Sequence, residues 1–339
     1  MATLYVTEHG VRLEKEHRSI LVSKNHQIIL AVPIFKLKEV VLVGSIGVTT
    51  QALMMLLDEG VNLSFITRSG TLRGRLRVFE SVNTNLIRKQ YVICADKERQ
   101  LEISRRFVFG KLHNCRIMAL RMIRKNKDNE IVLQKMKSAL GHLTRAIRQL
   151  DECADMQGLL GFEGLGTRSY FSIFRLSLNS PDIRDFTKRQ RRPPKDPVNS
   201  LLSFGYTLLA NSLVTACEIS GLNPFIGFFH TESYGKPALA LDLMEEFRPV
   251  IVDSIVLRLI NEKRLKLNNF YFTYQGKCML TRKGLRIFLA AYNRRLHDRL
   301  FTQIAGRPET YQHLFEIQAR QIRHIIESKI SKYEAVKVK

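Results

Sequence analysis

Paired cysteines, long apolar runs and acidic charge are all scarce in this 339-residue chain, and each shortage argues against a class of protein. The five cysteines (Cys94, Cys115, Cys153, Cys217, Cys278) are odd in number and widely scattered, with no CxxC pair. That argues against a disulfide framework and a zinc ribbon, and it suits a reduced, cytoplasmic location. Uninterrupted apolar stretches, such as residues 40–43 or the run 224–229, fall far short of the ~18 residues of a spanning helix. Glu8 interrupts the N-terminus before a signal-peptide core could form, so no membrane association is expected. The histidines show no HxxxH or HExxH spacing, and no repeat of 20–50 residues is apparent.

What is abundant is positive charge. Lys and Arg outnumber Asp and Glu by 54 to 31, for a net charge of +23. A basic surface on that scale attracts polyanions, because each phosphate neutralised releases condensed counterions. On charge alone nucleic acid is the leading partner and an anionic membrane surface the second, which the short apolar runs and the N-terminus argue against. At 45% hydrophobic, the chain can bury a sizeable core in one large or two unequal domains.

The periodicity divides the chain. Over residues 4–34 apolar and polar residues alternate in short runs broken by Gly10, Asn25-His26 and Pro33, which predicts half-buried antiparallel strands. KEVVLVGS and VNLSFITRSG add β-rich pieces, the second ending at the turn Ser69-Gly70. TTQALMMLLDEG between them reads as a short helix, capped by Thr49 or Thr50 and ended by Gly60. From about residue 84 apolar residues recur at helical spacing with Arg and Lys on the other face. The expected fold class is α+β: a small, mainly β domain over 1–77, a linker over 78–85, and a larger all-α domain over 86–339. The segment PDIRDFTKRQRRPPKDP follows neither period and reads as a mobile basic loop, either simply solvated or touching a polyanion.

Three places carry candidate chemistry. In GFEGLGTRSYF, Glu163 lies in a glycine-rich turn; the pattern follows a helical segment, so it is not a dinucleotide fingerprint. His230 ends the apolar run Phe225-Ile226-Gly227-Phe228-Phe229. In KPALALDLMEEFRP, Pro237 suits a helix start and Pro249 its end, with Leu239, Leu243, Met244 and Phe247 as the buried stripe. Asp242, Glu245 and Glu246 then fall on the opposite, outer side. Each site has an ordinary reading as a solvated or packed residue. Together they offer oxygen, nitrogen and oxygen donors, a set suited to Mg²⁺ or Mn²⁺.

At the same residues the chain resembles a known family, the CRISPR-associated endonuclease/integrase that inserts new spacers into CRISPR arrays. GFEGLGTRSYF, DPVNSLLSFGYTLL, GLNPFIGFFH and YGKPALALDLMEEFRPVIVD carry the likeness, which extends over nearly the whole length. The resemblance implies that Glu163, His230 and Glu245 are both the metal ligands and the catalytic residues. It makes Asp242 a support for a ligand or an alternative one. It also implies a homodimer formed through the N-terminal β domain, an α-helical catalytic domain, and a small CRISPR-associated protein bridging two dimers. The substrates would be double-stranded spacer precursor and the CRISPR repeat. The chain departs from the pattern with Thr-Glu-Ser-Tyr after His230 and with Lys236 where many relatives have Arg. Candidate phosphate clamps are Arg168, Lys236 and Arg248, and Arg189, Arg191 and Arg192 are candidates to track a strand. The reading from another class is a non-catalytic nucleic-acid scaffold; a small-ester phosphatase leaves the charge without a purpose.

Overall fold

The alternating N-terminal residues pair into two sheets in a computed structural model, which describes residues 2–68, 70–76, 83–126, 129–180, 182–183, 186–190, 193–230 and 233–339. The strands are β1 (Ala2–Val6), β2 (Arg12–Glu16), β3 (Ser19–Lys24), β4 (Gln27–Pro33), β5 (Leu37–Val43), β6 (Gly47–Val48), β7 (Asn62–Ile66) and β8 (Leu72–Leu76), with helix α1 (Thr50–Asp58) before β7. The helix is capped as expected: Thr49 accepts from the Ala52 amide at 3.2 Å, and Gly60 takes a positive φ just past its end.

The expectation of antiparallel strands holds for only part of this region. β4-β3-β2 is an antiparallel meander with β6 added in parallel, but the second sheet, β1-β5-β7-β8, pairs β1 with β5 and β5 with β7 in parallel. Parallel neighbours need a crossover, and α1 supplies one between β5 and β7. Strand β5 is consequently buried on both faces. Val40 and Leu42 join a small core with Leu13, Ile20 and Leu56, whereas Val41 and Val43 join the large core of the helical half.

The remaining chain forms α2 (Thr84–Ala95), α3 (Lys97–Lys125), α4 (Glu130–Arg148), α5 (Met156–Leu176), α6 (Pro197–Ile219), α7 (Ala238–Met244), a π-helical turn over Pro249–Asp253, α8 (Ser254–Asn261), α9 (Arg282–His297) and α10 (Tyr311–Ile326). Two short hairpins interrupt the helices: β9 (Phe270–Phe272) with β10 (Cys278–Leu280), and β11 (Arg299–Phe301) with β12 (Pro308–Thr310). The second half is therefore not all-α; three-residue strands are too short for their period to show against a helical background. The structure is mixed α+β, with a β-rich N-terminal region followed by helices. β8 ends at Leu76 and α2 begins at Thr84, while 77–82, most of the expected linker, and Ser69 of the expected turn lie outside the described residues.

Two features qualify the helical spacing read from residue 84 onward. The apolar pattern over 131–161 suits one continuous helix, yet the helix breaks after Arg148 and restarts at Met156 with Asp155 as cap. Helix α6, begun by Asp196 and Pro197, is long and apolar enough to cross a membrane by composition, which a search for unbroken apolar runs overlooks because Ser, Asn and Thr punctuate it. Its apolar window is 72% buried among the other helices, as suits a central core element.

Candidate active site

Glu163 sits in the middle of α5 and not in a turn. Its neighbouring glycines cost helix propensity of about 1 kcal/mol each, and packing offsets this at Gly166. A Cβ there would stand 2.6 Å from Leu112 of α3, so glycine lets α3 and α5 approach closely. That approach sets Lys111, the residue before Leu112, against Glu163.

Helix α7 also departs from its expected face. Asp242, Glu245 and Glu246 are all at most 1% exposed, because α7 is wrapped by α3, α6 and α10 and has no outer side. Each buried carboxylate must then find partners. Asp242 Oδ2 accepts from the amides of Phe228 (2.7 Å) and Phe229 (3.0 Å), and Oδ1 accepts from the His230 amide (2.8 Å). The loop reaches these positions because Gly227 lies flat on α7; a Cβ there would meet Ala238 at 2.7 Å and Asp242 Oδ2 at 2.8 Å. His230 Nδ1 also lies 2.8 Å from Asp242 Oδ1. A carboxylate there selects the tautomer with the proton on Nδ1, leaving the Nε2 lone pair to face Glu245 Oε1 at 3.7 Å.

The three residues proposed as ligands thus converge, from mid-α5, from the loop before α7 and from the end of α7. Between them stands a cation that sequence reading missed. Lys111, its side chain 7% exposed, pairs its ammonium with Glu163 Oε1 and with Glu245 Oε2 at 2.6 Å. Arg248 adds a second positive charge 3.2 Å from Glu245 Oε1. Burial opposes ionisation of Glu245 most strongly, yet Arg248 and Lys111, joined by His230 whenever its ring is protonated, bring its carboxyl down to about 2. Burial likewise works against the Lys111 charge, and Glu245 and Glu163 overcome it, holding the ammonium above its ordinary value. A signal for Lys111 does exist in the sequence. It lies three and four residues beyond Val108 and Phe107 and four before Cys115, a charge on the buried stripe of its helix.

With Lys111 in place, no three His, Cys, Asp or Glu side chains among the described residues close into a metal cage. The arrangement still has the features such a cage needs. Glu245 Oε2 is buried and makes no directed hydrogen bond beyond its ion pair, His230 Nε2 is preset as a lone pair, and a cation already bridges the two carboxylates.

Glu163 and Lys111 both line a cavity of about 500 Å³, whereas His230 and Glu245 are not among its lining residues. Its walls also carry Arg168, Arg175, Lys188, Arg189, Arg248, Tyr206 and Asp253. Arg189 and Arg248 both lie over the Tyr206 ring, at 5.3 and 4.9 Å, and the Tyr206 hydroxyl donates to Asp253 at 2.5 Å. Burial raises the Asp253 carboxyl to about 6 despite that bond. Arg168 is exposed at the wall, whereas Arg189 is held by the Asn199 side chain, the Ser203 hydroxyl and the Gln190 carbonyl. Lys236, in the turn before α7, is not among the lining residues, and Arg191, Arg192, Thr231 and Glu232 lie outside the described residues. The basic segment is anchored where it is described: Ile183 and Phe186 are each 1% exposed, Phe186 packing on Phe171 and Phe174. It is not the wholly solvated mobile loop its composition suggests.

Glu246 faces the other way. Tyr333, Gln318 and the Val336 amide donate to it at 2.7–2.8 Å, tying residues 333–338 to α7, and burial pushes its carboxyl up to about 8.

Comparison with known proteins places this geometry in context. A CRISPR-associated endonuclease Cas1 of Thermus thermophilus is 33% identical over 342 residues, covering 100% of this chain and 98% of its own. A casposase bound to integration product shares the fold with a TM-score of 0.84 at 24% identity, over 98% of this chain and 93% of its own. The chain in a Cas6-RT-Cas1–Cas2 complex matches with a TM-score of 0.82 at 25% identity, over 100% of this chain and 36% of its own. The model of the CRISPR-associated protein Cas1 family matches residues 4–294, and the chain belongs to that family.

Proposed function

We propose that the protein is a divalent-metal-dependent DNA endonuclease and integrase that inserts spacer DNA into a CRISPR array. The observation that carries this reading is the convergence of Glu163, His230 and Glu245 about Lys111, beside a cavity that Glu163 and Lys111 line together with five further basic residues. The family relatives named as endonucleases, and the casposase captured with an integration product, support it.

Glu163, His230 and Glu245 would hold Mg²⁺ or Mn²⁺, since two carboxylates and one imidazole suit a hard divalent ion. The chemistry such an ion supplies is Lewis acidity toward the phosphodiester, with neutralisation of charge on the pentacoordinate phosphate. The 3′-hydroxyl of the incoming DNA loses its proton and attacks a phosphate at the edge of a repeat. One phosphodiester bond forms as another breaks, and the displaced strand keeps a 3′-hydroxyl. With water as nucleophile the same site cleaves DNA. Asp242 keeps the imidazole oriented, and Arg168 and Arg248 clamp phosphate beside the ligands. Arg189, pinned to α6 and stacked on Tyr206, is pre-organised to do the same further out.

Residues 1–77 would form the homodimer contact and the helical region the catalytic unit. Ile28, Ile29 and Leu30 of the edge strand β4, with nearby Phe35, are exposed and in need of a cover. The Cas1–Cas2 complex among the structural relatives supports a small bridging partner protein. The buried cysteines suit the cytoplasm.

The test is substitution. Glu163→Ala, His230→Ala and Glu245→Ala should each abolish Mn²⁺-dependent cutting and joining while leaving DNA affinity within a few fold. Joining at the wild-type level by all three variants overturns the assignment. A wild-type protein that binds DNA and yields no product with any divalent ion points instead to the scaffold.

A further inference from the structure

Between Lys263 and His297 the chain has nine lysines and arginines and no Asp or Glu. At the centre of this stretch stands the β9–β10 hairpin, whose base is fixed. Phe270, Leu280 and Leu265 are buried, and the Thr281 amide and hydroxyl both donate to the Asn269 carbonyl at 2.9 and 3.1 Å. Beyond that base, Tyr271 and Phe272 are 41% and 55% exposed, and Tyr274 at the turn is fully exposed. Three aromatic side chains within four residues are held in water on a fixed base, and exposed Lys263, Arg264, Lys266, Arg282 and Lys283 flank the hairpin on both sides in the chain. Core packing gives no reason for them; exposed apolar groups rimmed by charge mark an interaction surface.

Position narrows the ligand. The Cys278 amide donates to the Pro194 carbonyl at 2.9 Å, which joins the hairpin to the segment whose residues Thr187, Lys188 and Arg189 line the cavity. Pro194 lies five positions beyond Arg189, a contour of at most about 18 Å. Exposed Lys188 and Lys195 mark the way between the cavity and the hairpin.

We propose that the β9–β10 hairpin is a stacking platform for the unpaired bases of single-stranded DNA entering or leaving the candidate active site. Basic side chains alone serve a duplex, whose bases are stacked on one another. Aromatic faces add binding only where a base is free to stack on them, and they do so with little regard to sequence. The inference rests on the reading that the cavity handles DNA.

The chain contains no tryptophan, so Phe272→Trp creates a single fluorescent reporter on the platform. Titrated with duplexes carrying a 3′ single-stranded overhang, this variant should be quenched, and blunt duplexes of equal length should leave it unchanged. The triple variant Tyr271→Ala, Phe272→Ala, Tyr274→Ala should lose affinity for the overhang by roughly 5- to 150-fold for each stacked base removed, and none for the blunt duplex. Overhang binding at the wild-type level by the triple variant, or equal losses on both DNAs, overturns the platform. So does an unquenched tryptophan, or a hairpin whose loss impairs only assembly with a protein partner. Failure of the wild-type protein to bind either DNA overturns the reading of the cavity itself, and is distinguished by needing no variant.

Discussion

Lys111 shows how much one side chain can decide. Two carboxylates a few ångströms apart, Glu245 buried and Glu163 partly so, repel unless a cation lies between them, and Lys111 is that cation. Its replacement by Met leaves Glu163 and Glu245 facing each other, with Arg248 and His230 beside Glu245 but no ammonium between the two carboxylates. We expect Lys111→Met to lower stability without metal by about 3–5 kcal/mol, the usual result of breaking a buried pair by removing one partner. Denaturant unfolding measures the loss. Mn²⁺ should then raise the melting temperature of the variant more than that of the wild type, since binding to the folded state adds stability. Equal shifts in the two proteins would mean that Lys111 and the ion do not share the carboxylates.

At the scale of elements, the contact of α3 with α5 positions the site. Gly166→Leu would drive a side chain into Leu112, which is fully buried, and force the helices apart. Overpacking of this kind costs about 1–3 kcal/mol, seen in denaturant unfolding, and the separation of Lys111 from Glu163 should also weaken Mn²⁺ binding measured by calorimetry. The π-helical turn carries a pH dependence. The Asp253 carboxyl is raised to about 6 in the folded protein from its ordinary 3.8. A raised carboxyl binds its proton more tightly when folded, so its stabilising contribution is complete below pH 3.8 and disappears as pH rises through 6. In the middle of that window the slope approaches about 1.4 kcal/mol per pH unit. Asp253→Asn should remove this slope; unfolding curves for the two proteins at about pH 4 and pH 7 give the comparison, and parallel behaviour counts against the shift.

Across the whole molecule the net charge of +23 governs association. If roughly six to ten phosphates are neutralised, DNA affinity should fall by about 10³–10⁵ between 50 and 200 mM salt. A filter-binding titration against salt gives the slope. A shallow slope would place most of the basic residues away from the DNA. The charge is also arranged: among the charged residues that line the cavity, six are Lys or Arg and two, Glu163 and Asp253, are acidic.

The sequence by itself determined what depends on local pattern and total composition. Thr49 and Asp196 announce their helices because a cap is a contact within three residues, and the excess of Lys and Arg needs no fold to be counted. Glu163, His230 and Glu245 were readable as candidates through their motifs. What only the tertiary structure decided is everything that depends on what lies across from a residue. Glycines that locally favour a turn are helical at α5 because α3 packs against them. Carboxylates that look like an outer face are buried at α7 because three helices surround it. Parallel pairing in the N-terminal sheet depends on strands far apart in the chain. Lys111 reads as one basic residue among 54 until the fold sets it between two acids 52 and 134 residues away. Burial and ion pairing are long-range properties, and no period along the chain encodes them.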